Sequence, residues 1–465
     1  VTTLPHAGHL LERARWAARA YADYDAVTVS AIVTAVADAG YAEAERLATA
    51  AVTETGMGIA ADKVVKNRAR SRGILDYYRG ADFVSPRVDT ARKIVEIPRP
   101  AGVVLAVTPA TNPVCTVYST VILALMTRNA VVVAPDPRAQ NCSADAARTL
   151  ADAAVKAGAP DGIVQVIDES SPSLVEALMA DGRTDVVAAT GVAGAGPGNV
   201  PVFVDASADI AAAARRIVDS KAFDNSVSCT NESVLVAEES ITGALCSAMT
   251  RHGAHILDVD AARRLRAFMF ADGHLNADVV GRDATWIAAR AGLRVTPDTR
   301  VLVAPFEHVM AEEMLAHVKM SPVLGMTTVS DDARGIRAAR AVVLIGGAGH
   351  SAAVHSENPS LITDFAAQMP VLRVSVNVGN STGSAASDVS LQPQSLIGWT
   401  RIAYDSDVGV AMPNFAGITP WRTPGGPVPR YPHASNDQRT APLPQRNGHS
   451  IGITEAPAGI EGHDH

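Results

Sequence analysis

From residue 102 onward, short apolar runs (GVVLAV, NAVVVAP, GIVQVI, TDVVAAT and VPVFV) alternate with stretches of helical character, two of them Ala-rich. A half-covered strand alternates apolar with polar residues, whereas these runs are almost wholly apolar and read as strands buried on both faces. Such strands pair in parallel and need crossover helices. The pattern predicts a doubly wound α/β sheet of the nucleotide-binding type, in which ligands gather beyond the carboxyl ends of the strands.

The flanking blocks are of other kinds. Residues 8–82 show helical spacing, with Leu10, Ala14, Ala17 and Ala18 on one face and Ile32, Val33, Val36 and Ala37 on another. A second α/β unit begins near Asp205, where Ser207 is the expected N-cap of the helix ADIAAAARRIVDSK. It continues through the strands SVLVAEE, TRVLVAPF and AVVLIGG to about residue 384. After Trp421 the chain turns to PGGPVPRYPHASNDQRTAPLPQRNGHS, which cannot bury enough apolar surface to offset chain entropy, so 421–465 is expected to be a disordered tail.

With 465 residues and 48% hydrophobic content the chain can build a large core, in about two or three domains. A formal charge of −8 without any run of Lys and Arg argues against nucleic acid and for a small-molecule enzyme. The apolar run VCTVYSTVILALM is too short to span a bilayer, and His6, Glu12, Arg13 and Arg15 stand where a secretory signal needs an apolar block. The four cysteines, Cys115, Cys142, Cys229 and Cys246, lack the close paired spacing of a zinc site or a disulfide framework. A reducing cytoplasm, no membrane and no metal are expected; His463, Asp464 and His465 lie at a terminus that frays.

Chemistry is most legible at Cys229. It lies in KAFDNSVSCTNES (221–233), a polar loop between an apolar-periodic helix and the strand-like SVLVAEE. A thiol displayed there is placed for nucleophilic work, although a small loop hydrophobe is the bland alternative. Asn112 in TPATNPVCT is a candidate to polarise a carbonyl, or merely the start of a turn before Pro113. Thr190 and Gly191 end the strand TDVVAAT, as a phosphate-facing turn or an ordinary βα turn. His350 in GGAGHS faces cofactor or substrate, or bonds within its loop. Cys115 precedes TVYSTVILAL and is expected in the core, while Cys142 and Cys246 lie in helix-like surroundings.

Seven segments occur in an informative order: TETGMGIAADKVVKN (53–67), TPATNPVCT (108–116), TRNAVVVAPDPRA (127–139), GPGNVPVFVD (196–205), KAFDNSVSCTNES (221–233), KMSPVLGM (319–326) and GGAGHS (346–351). Through them, residues 8–420 or so resemble the CoA-acylating aldehyde dehydrogenases. These comprise the aldehyde half of the bifunctional alcohol/aldehyde dehydrogenases, the microcompartment propionaldehyde and ethanolamine-pathway enzymes, and the acylating sulfoacetaldehyde dehydrogenases.

The resemblance implies an aldehyde dehydrogenase-like fold: a Rossmann-type parallel-sheet cofactor domain (1–204), an α/β catalytic domain (205–384) and a returning oligomerisation segment (385–420). It implies the conversion of an aldehyde, CoA and NAD(P)+ to acyl-CoA and NAD(P)H. Cys229 would attack the aldehyde, and the Asn112 amide with the Cys229 N–H would hold the oxyanion. Thr108, Pro109, Thr190, Gly191 and His350 would contact NAD or NADP. A homodimer or homotetramer is implied, in the cytoplasm or within a bacterial microcompartment. WTRIAYDSD (399–407) bears a slight likeness to the sulfoacetaldehyde branch, and a short aliphatic aldehyde is the equal alternative.

The sequence also departs from that family. Hydrolytic aldehyde dehydrogenases carry a Glu just before the segment equivalent to GPGNVP, where this chain has VAGA (192–195), so water lacks a base and a thiol is the natural acceptor. A non-acylating, hydrolytic enzyme is the alternative. Relatives hold about twenty more residues between ATG (189–191) and GPGN, including a helix whose N-terminus faces the pyrophosphate. A second contraction follows GNSTGS (379–384), Val318 stands where a Glu precedes the proline (here Pro322) by four, and Ser226 replaces a usual Gly. These changes cluster on the cofactor side. They leave a third reading, a degenerate subunit of an aldehyde dehydrogenase assembly.

Overall fold

The computed structural model of the chain describes residues 4–190, 198–382 and 391–432, apart from positions 272, 406, 408 and 427. The expectations for Gly191, for VAGA and for the tail beyond 432 lie outside the described residues. Five helices open the chain: α1 (Leu4–Tyr21), α2 (Ala26–Ala42), α3 (Ala44–Thr55), α4 (Ala60–Ala69) and α5 (Arg72–Tyr77). Asp25 starts α2 by accepting from Thr28 N at 2.8 Å, satisfying one of the donors that a helix start leaves open. Gly56 ends α3 in a left-handed turn with φ of 66°.

After the short pair β1 (Arg87–Asp89) and β2 (Ile94–Pro100), the expected strands follow as β3 (Val103–Thr108), β4 (Ala130–Pro135), β5 (Val164–Val166) and β6 (Val186–Ala189). They form a parallel sheet of order β5-β4-β3-β6. The helices α6 (Pro113–Met126), α7 (Gln140–Lys156) and α8 (Pro172–Met179) make the crossovers. Every residue of β3 and β4 is buried, so truncating Leu105 at its centre would cost about 2–5 kcal/mol. β6 departs from the expected two-sided burial. It is the edge strand, and Val187 keeps 37% of its surface, because the sheet ends there.

A second parallel sheet has the order β15-β14-β7-β8-β13-β12-β9. Its strands are β7 (Val200–Val204), β8 (Glu232–Glu238), β9 (Ala254–Ile256), β12 (Val301–Pro305), β13 (Val323–Val329), β14 (Ser351–His355) and β15 (Arg373–Val376). A small hairpin, β10 (Phe270–Ala271) with β11 (His274–Leu275), interrupts the series. β7 thus pairs with β8 and β14, so the change of sheet falls before residue 200 and not at the expected 204/205 boundary.

Two local expectations are corrected here. AVVLIGG is not a strand: residues 341–346 complete a helix, Asp332–Gly346, whose buried face is Gly335, Ile336, Ala339, Val342 and Val343. The 3.6-residue period begins at the Asp331 cap, upstream of the apolar run. The helix Ile210–Ala222 is capped by Asp209, which accepts from Ala212 N at 3.0 Å. Ser207 instead donates to the Asp205 carboxylate.

The returning segment forms β16 (Ile397–Ala403), antiparallel to β2 over its whole length. Residues 421–431, expected to be disordered, make specific contacts. Trp421 Nε1 donates to Val84 O at 2.7 Å, the Arg128 guanidinium lies 4.1 Å from the Trp421 ring, and Tyr431 packs edge-on against Trp16. The two aromatic residues supply the apolar area that their polar neighbours lack.

Candidate active site

The site lies where the two sheets present their loops to one cavity. β3 ends at Thr108, and Pro113 opens α6 at its first turn, a position that needs no N–H. Asn112 therefore sits at the helix entrance, with its side chain released from capping. From the other sheet, the helix Ile210–Ala222 leads through Phe223–Ser226 to the loop bearing Cys229, which is exposed. A cavity of about 200 Å³ is lined by Cys229, Asn112 and Thr190, together with residues of α4 and α6.

The approach to Cys229 is tightly held. Asp224, Asn225 and Ser226 have φ of 51°, 49° and 60°, three successive left-handed residues at about 1–2 kcal/mol each for non-glycine side chains. Ser226, noted for replacing Gly, indeed occupies a backbone that glycine would adopt freely. Contacts offset this strain. The fully buried Asp224 carboxylate accepts from Ile59 N at 2.6 Å, Lys66 Nζ at 2.6 Å and Lys63 Nζ at 3.1 Å. Burial lowers the Lys63 pKa, while the Asp224 charge opposes that shift.

Beyond the strained turn, Asn231 Oδ1 accepts from Ser228 N at 2.8 Å, and Asn231 Nδ2 donates to Ser220 O at 2.6 Å. Asn380 Nδ2 donates to Thr230 O at 2.7 Å, and Asn380 N to Glu232 Oε1 at 2.7 Å. The thiol at 229 is therefore displayed on a backbone fixed from both sides. Behind it lie two fully buried ionisable groups: burial pushes the Lys221 ammonium down to about 7 and the Glu232 carboxyl up, each partly opposed by the other's charge.

The Asn112 amide is oriented by two contacts. Its Oδ1 accepts from Lys66 Nζ at 2.8 Å, and its Nδ2 donates to Val227 O at 3.0 Å, two residues before Cys229. Thr190 lines the same cavity. Thr108 and Pro109 are buried at the exit of β3 and do not line it. Thr108 Oγ1 is buried without a hydrogen-bond partner, an orphan that suits a ligand at the carboxyl end of the strand. His350 is also off the cavity lining. It lies across Gly198 from the Cys229 backbone: a Cβ on Gly198 would meet Cys229 O at 2.0 Å and His350 Cε1 at 2.9 Å.

Cys115 is corrected from core to cavity wall: it is half-buried and lines the cavity with Cys229. The helix face that buries Val114, Val117 and Val121 leaves residues 112, 115, 116, 119 and 120 toward the cavity. Cys142 is buried, its thiol pushed up to about 12 by desolvation and the nearby Glu54. Sequence reasoning assigned no role to Lys66, Asp224, Asn231 or Asn380. Their one signal was membership of quoted segments.

The Aldehyde dehydrogenase family model matches residues 3–197. The acetylating succinate-semialdehyde dehydrogenase of Clostridium kluyveri is 31% identical over 411 residues, which are 84% of this chain and 90% of that protein. The chain belongs to the acylating aldehyde dehydrogenase family. The aldehyde-alcohol dehydrogenase of Clostridium acetobutylicum is 34% identical over 403 residues, 83% of this chain and 46% of that protein. The chain thus spans about half the length of such bifunctional family members. The fold agrees as well. The crystal structure of an acetylating aldehyde dehydrogenase from Geobacillus thermoglucosidasius superimposes with a TM-score of 0.82 at 30% identity, over 86% of this chain and 97% of that one.

Water attacks a thioester efficiently only where a base is placed to deprotonate it. None of the described residues lining the cavity is acidic, and the sequence GVAGAGP over 191–197 has no carboxylate either. Among the described residues no group of His, Cys, Asp and Glu could hold a metal ion.

Proposed function

We propose that this chain oxidises an aldehyde to an acyl-CoA, with Cys229 as nucleophile and Asn112 as oxyanion donor. The observation that carries the reading is the exposed Cys229 thiol and the oriented Asn112 amide in one cavity. The Cys229 thiolate adds to the aldehyde carbon, and the new oxyanion is met by an Asn112 Nδ2 hydrogen and the Cys229 N–H. Bound nicotinamide supplies the acceptor for the hydride that leaves as the carbonyl re-forms, giving a thioester on Cys229. The CoA thiolate then adds to that thioester, and the Cys229 thiolate departs. With no carboxylate among the described lining residues to deprotonate water, thiol exchange would outrun hydrolysis.

The four-stranded sheet is the proposed cofactor half and the seven-stranded sheet the catalytic half. Thr108, Pro109 and Thr190, with His350 and Gly191, would hold NAD or NADP. The orphaned Thr108 Oγ1 supports this assignment. The segment 385–420 would join two copies into a dimer. A cytoplasmic or microcompartment setting is proposed from the family; among the described residues no helix is long and apolar enough to cross a membrane. The substrate is proposed to be a short aldehyde, in keeping with the acetylating succinate-semialdehyde dehydrogenase of the family.

The test is an aldehyde panel with the purified chain, with and without CoA, followed by NAD(P)H absorbance and mass spectrometry of the acyl product. The expected result is acyl-CoA formation that needs CoA and vanishes in Cys229→Ala. Equal rates without CoA and release of a free carboxylic acid would support hydrolysis. Silence with every aldehyde and both nicotinamides would support a non-catalytic subunit.

A further inference from the structure

We propose that Glu232 is a positioning residue for this reaction: acting through Asn380, it sets where the Cys229 thiol stands against the Asn112 amide. The assignment rests on the reading of Cys229 and Asn112 given above. Glu232 opens β8, three residues after Cys229, and Asn380 lies in the turn after β15. Both are fully buried.

The loop that carries Cys229 hangs between two side-chain amides. Asn112 Nδ2 donates to Val227 O at 3.0 Å, and Asn380 Nδ2 donates to Thr230 O at 2.7 Å. The first amide belongs to the four-stranded half and the second to the seven-stranded half. Asn231 Oδ1, which accepts from Ser228 N at 2.8 Å, stiffens the span between them. Addition to an aldehyde needs sulfur at the carbon and a donor at the oxygen together, and a misplacement of about 1 Å can cost a hundredfold in rate. Asn112 holds one end of the loop; the other end depends on Asn380.

Asn380 can hold that end only if it is held itself. Its Oδ1 accepts from Ser375 Oγ at 2.7 Å and from Arg373 Nη2 at 3.0 Å, which turns Nδ2 toward Thr230 O and Ser351 Oγ. Those contacts orient the side chain. Its backbone is tied by Glu232, whose Oε1 accepts from Asn380 N at 2.7 Å. Ser381, next in the chain, donates its N–H to Ser220 Oγ at 2.9 Å and lines the cavity, so the turn held by Glu232 is also a wall of the site. The carboxyl heads a strand that continues as Val234, Leu235, Val236 and Ala237, and its Oε2 is buried without a hydrogen-bond partner. A polar group so placed costs stability. An apolar residue would pack there as its neighbours do, but it would leave the Asn380 N–H unanswered.

The test compares Glu232→Leu, which keeps the approximate volume and removes the acceptor, with Glu232→Gln, which keeps a carbonyl oxygen. Three readings are taken: kcat for an aldehyde, the alkylation rate of Cys229 by iodoacetamide, and the protection of Cys229 from that reagent by an aldehyde added without nicotinamide. Alkylation uses the thiol alone, whereas the protecting adduct needs thiol and amide together. In Glu232→Leu, kcat is expected to fall by about tenfold to a hundredfold, and the aldehyde concentration that protects should rise by about tenfold, the scale of one hydrogen bond. The alkylation rate should stay near the native value, a combination that general loss of folded protein does not give. Glu232→Gln should restore most of kcat and of protection. Asn380→Ala should reproduce the loss, and adding Glu232→Leu to it should cost little more, because the two residues act as one unit.

Native kcat and native protection in Glu232→Leu would overturn its role and leave acyl transfer standing, as would alkylation that slows in step with turnover. Losses that multiply in the double variant would overturn the route through Asn380. If Glu232→Leu does not fold, the same three readings on Asn380→Ala decide the matter. If the native chain turns over no aldehyde, the reaction assigned to Cys229 fails, and protection still decides the role of Glu232. A weaker adduct in Glu232→Leu upholds it; an equal adduct, or none in the native chain, overturns it.

Discussion

Lys66 Nζ donates to Asn112 Oδ1 at 2.8 Å, and this bond decides which end of the amide is available to a carbonyl oxygen. With a cation at Oδ1 and the Val227 carbonyl 3.0 Å from Nδ2, a flipped amide would set donor against donor and acceptor against acceptor. One Nδ2 hydrogen is used by Val227. The other can meet an oxyanion, and the ammonium at Oδ1 polarises the amide so that this hydrogen becomes the stronger donor.

Replacing Asn112 by Ala is therefore expected to lower kcat by about a hundredfold to a thousandfold, the loss typical of one oxyanion donor. Reaction of Cys229 with iodoacetamide should continue, since the loop is held by Asn231 and Asn380. Steady-state kinetics and mass-spectrometric alkylation check the two halves. Parallel loss of both would mean that Asn112 supports the loop and not the oxyanion.

Lys66→Met should lower kcat by about tenfold, the scale of one charge-assisted hydrogen bond. Lys63 remains 3.1 Å from Asp224, so the buried carboxylate keeps a partner. If Lys66 works through the amide, adding this change to Asn112→Ala should cost little more, because the two residues then act as one unit. Losses that multiply in the double variant would show that Lys66 acts elsewhere.

Ser226→Gly is expected to stabilise the fold by about 1 kcal/mol. Ser226 has a φ of 60°, a conformation that costs an L-residue roughly 1–2 kcal/mol and glycine almost nothing. Its Oγ is also buried without a partner. The greater freedom of glycine in the unfolded chain offsets part of the gain, by roughly 0.5–1 kcal/mol. Urea denaturation measures the balance, and a drop in midpoint would mean that the hydroxyl or its Cβ supports the turn.

The parts of the fold that read directly from sequence are those with one dominant physical signal. β3, β4 and β7 are apolar at nearly every residue and are buried throughout. AVVLIGG misled because a short apolar run has no period of its own; the helix becomes legible only when the window reaches back to the Asp331 cap. Cys229 stood out by contrast with its polar neighbours. The groups that position the site did not, because their partners are remote: Lys66 and Asp224 are 158 residues apart, and Asn380 meets Thr230 across 150. No local pattern in α4 announces an ion pair with the turn before the cysteine.

Acid stability offers a test away from the cavity. His355, at the end of β14, is 1% exposed, and neither ring nitrogen has a hydrogen-bond partner. Burial, assisted by Arg216, pushes its pKa down to about 4 from the ordinary 6.5. Between these values the unfolded chain takes up a proton that the folded chain refuses, so the fold loses stability as pH falls from 6.5 toward 4. The full loss is about 3 kcal/mol at 1.36 kcal/mol per pH unit. Glu232, whose pKa burial raises, contributes the opposite sign above its ordinary pKa, so the informative quantity is the difference between native chain and variant. His355→Leu removes the titration and the two unsatisfied nitrogens together. Its urea midpoint should therefore fall less than that of the native chain between pH 6.5 and 4.5, and equal falls would place the acid sensitivity in other groups.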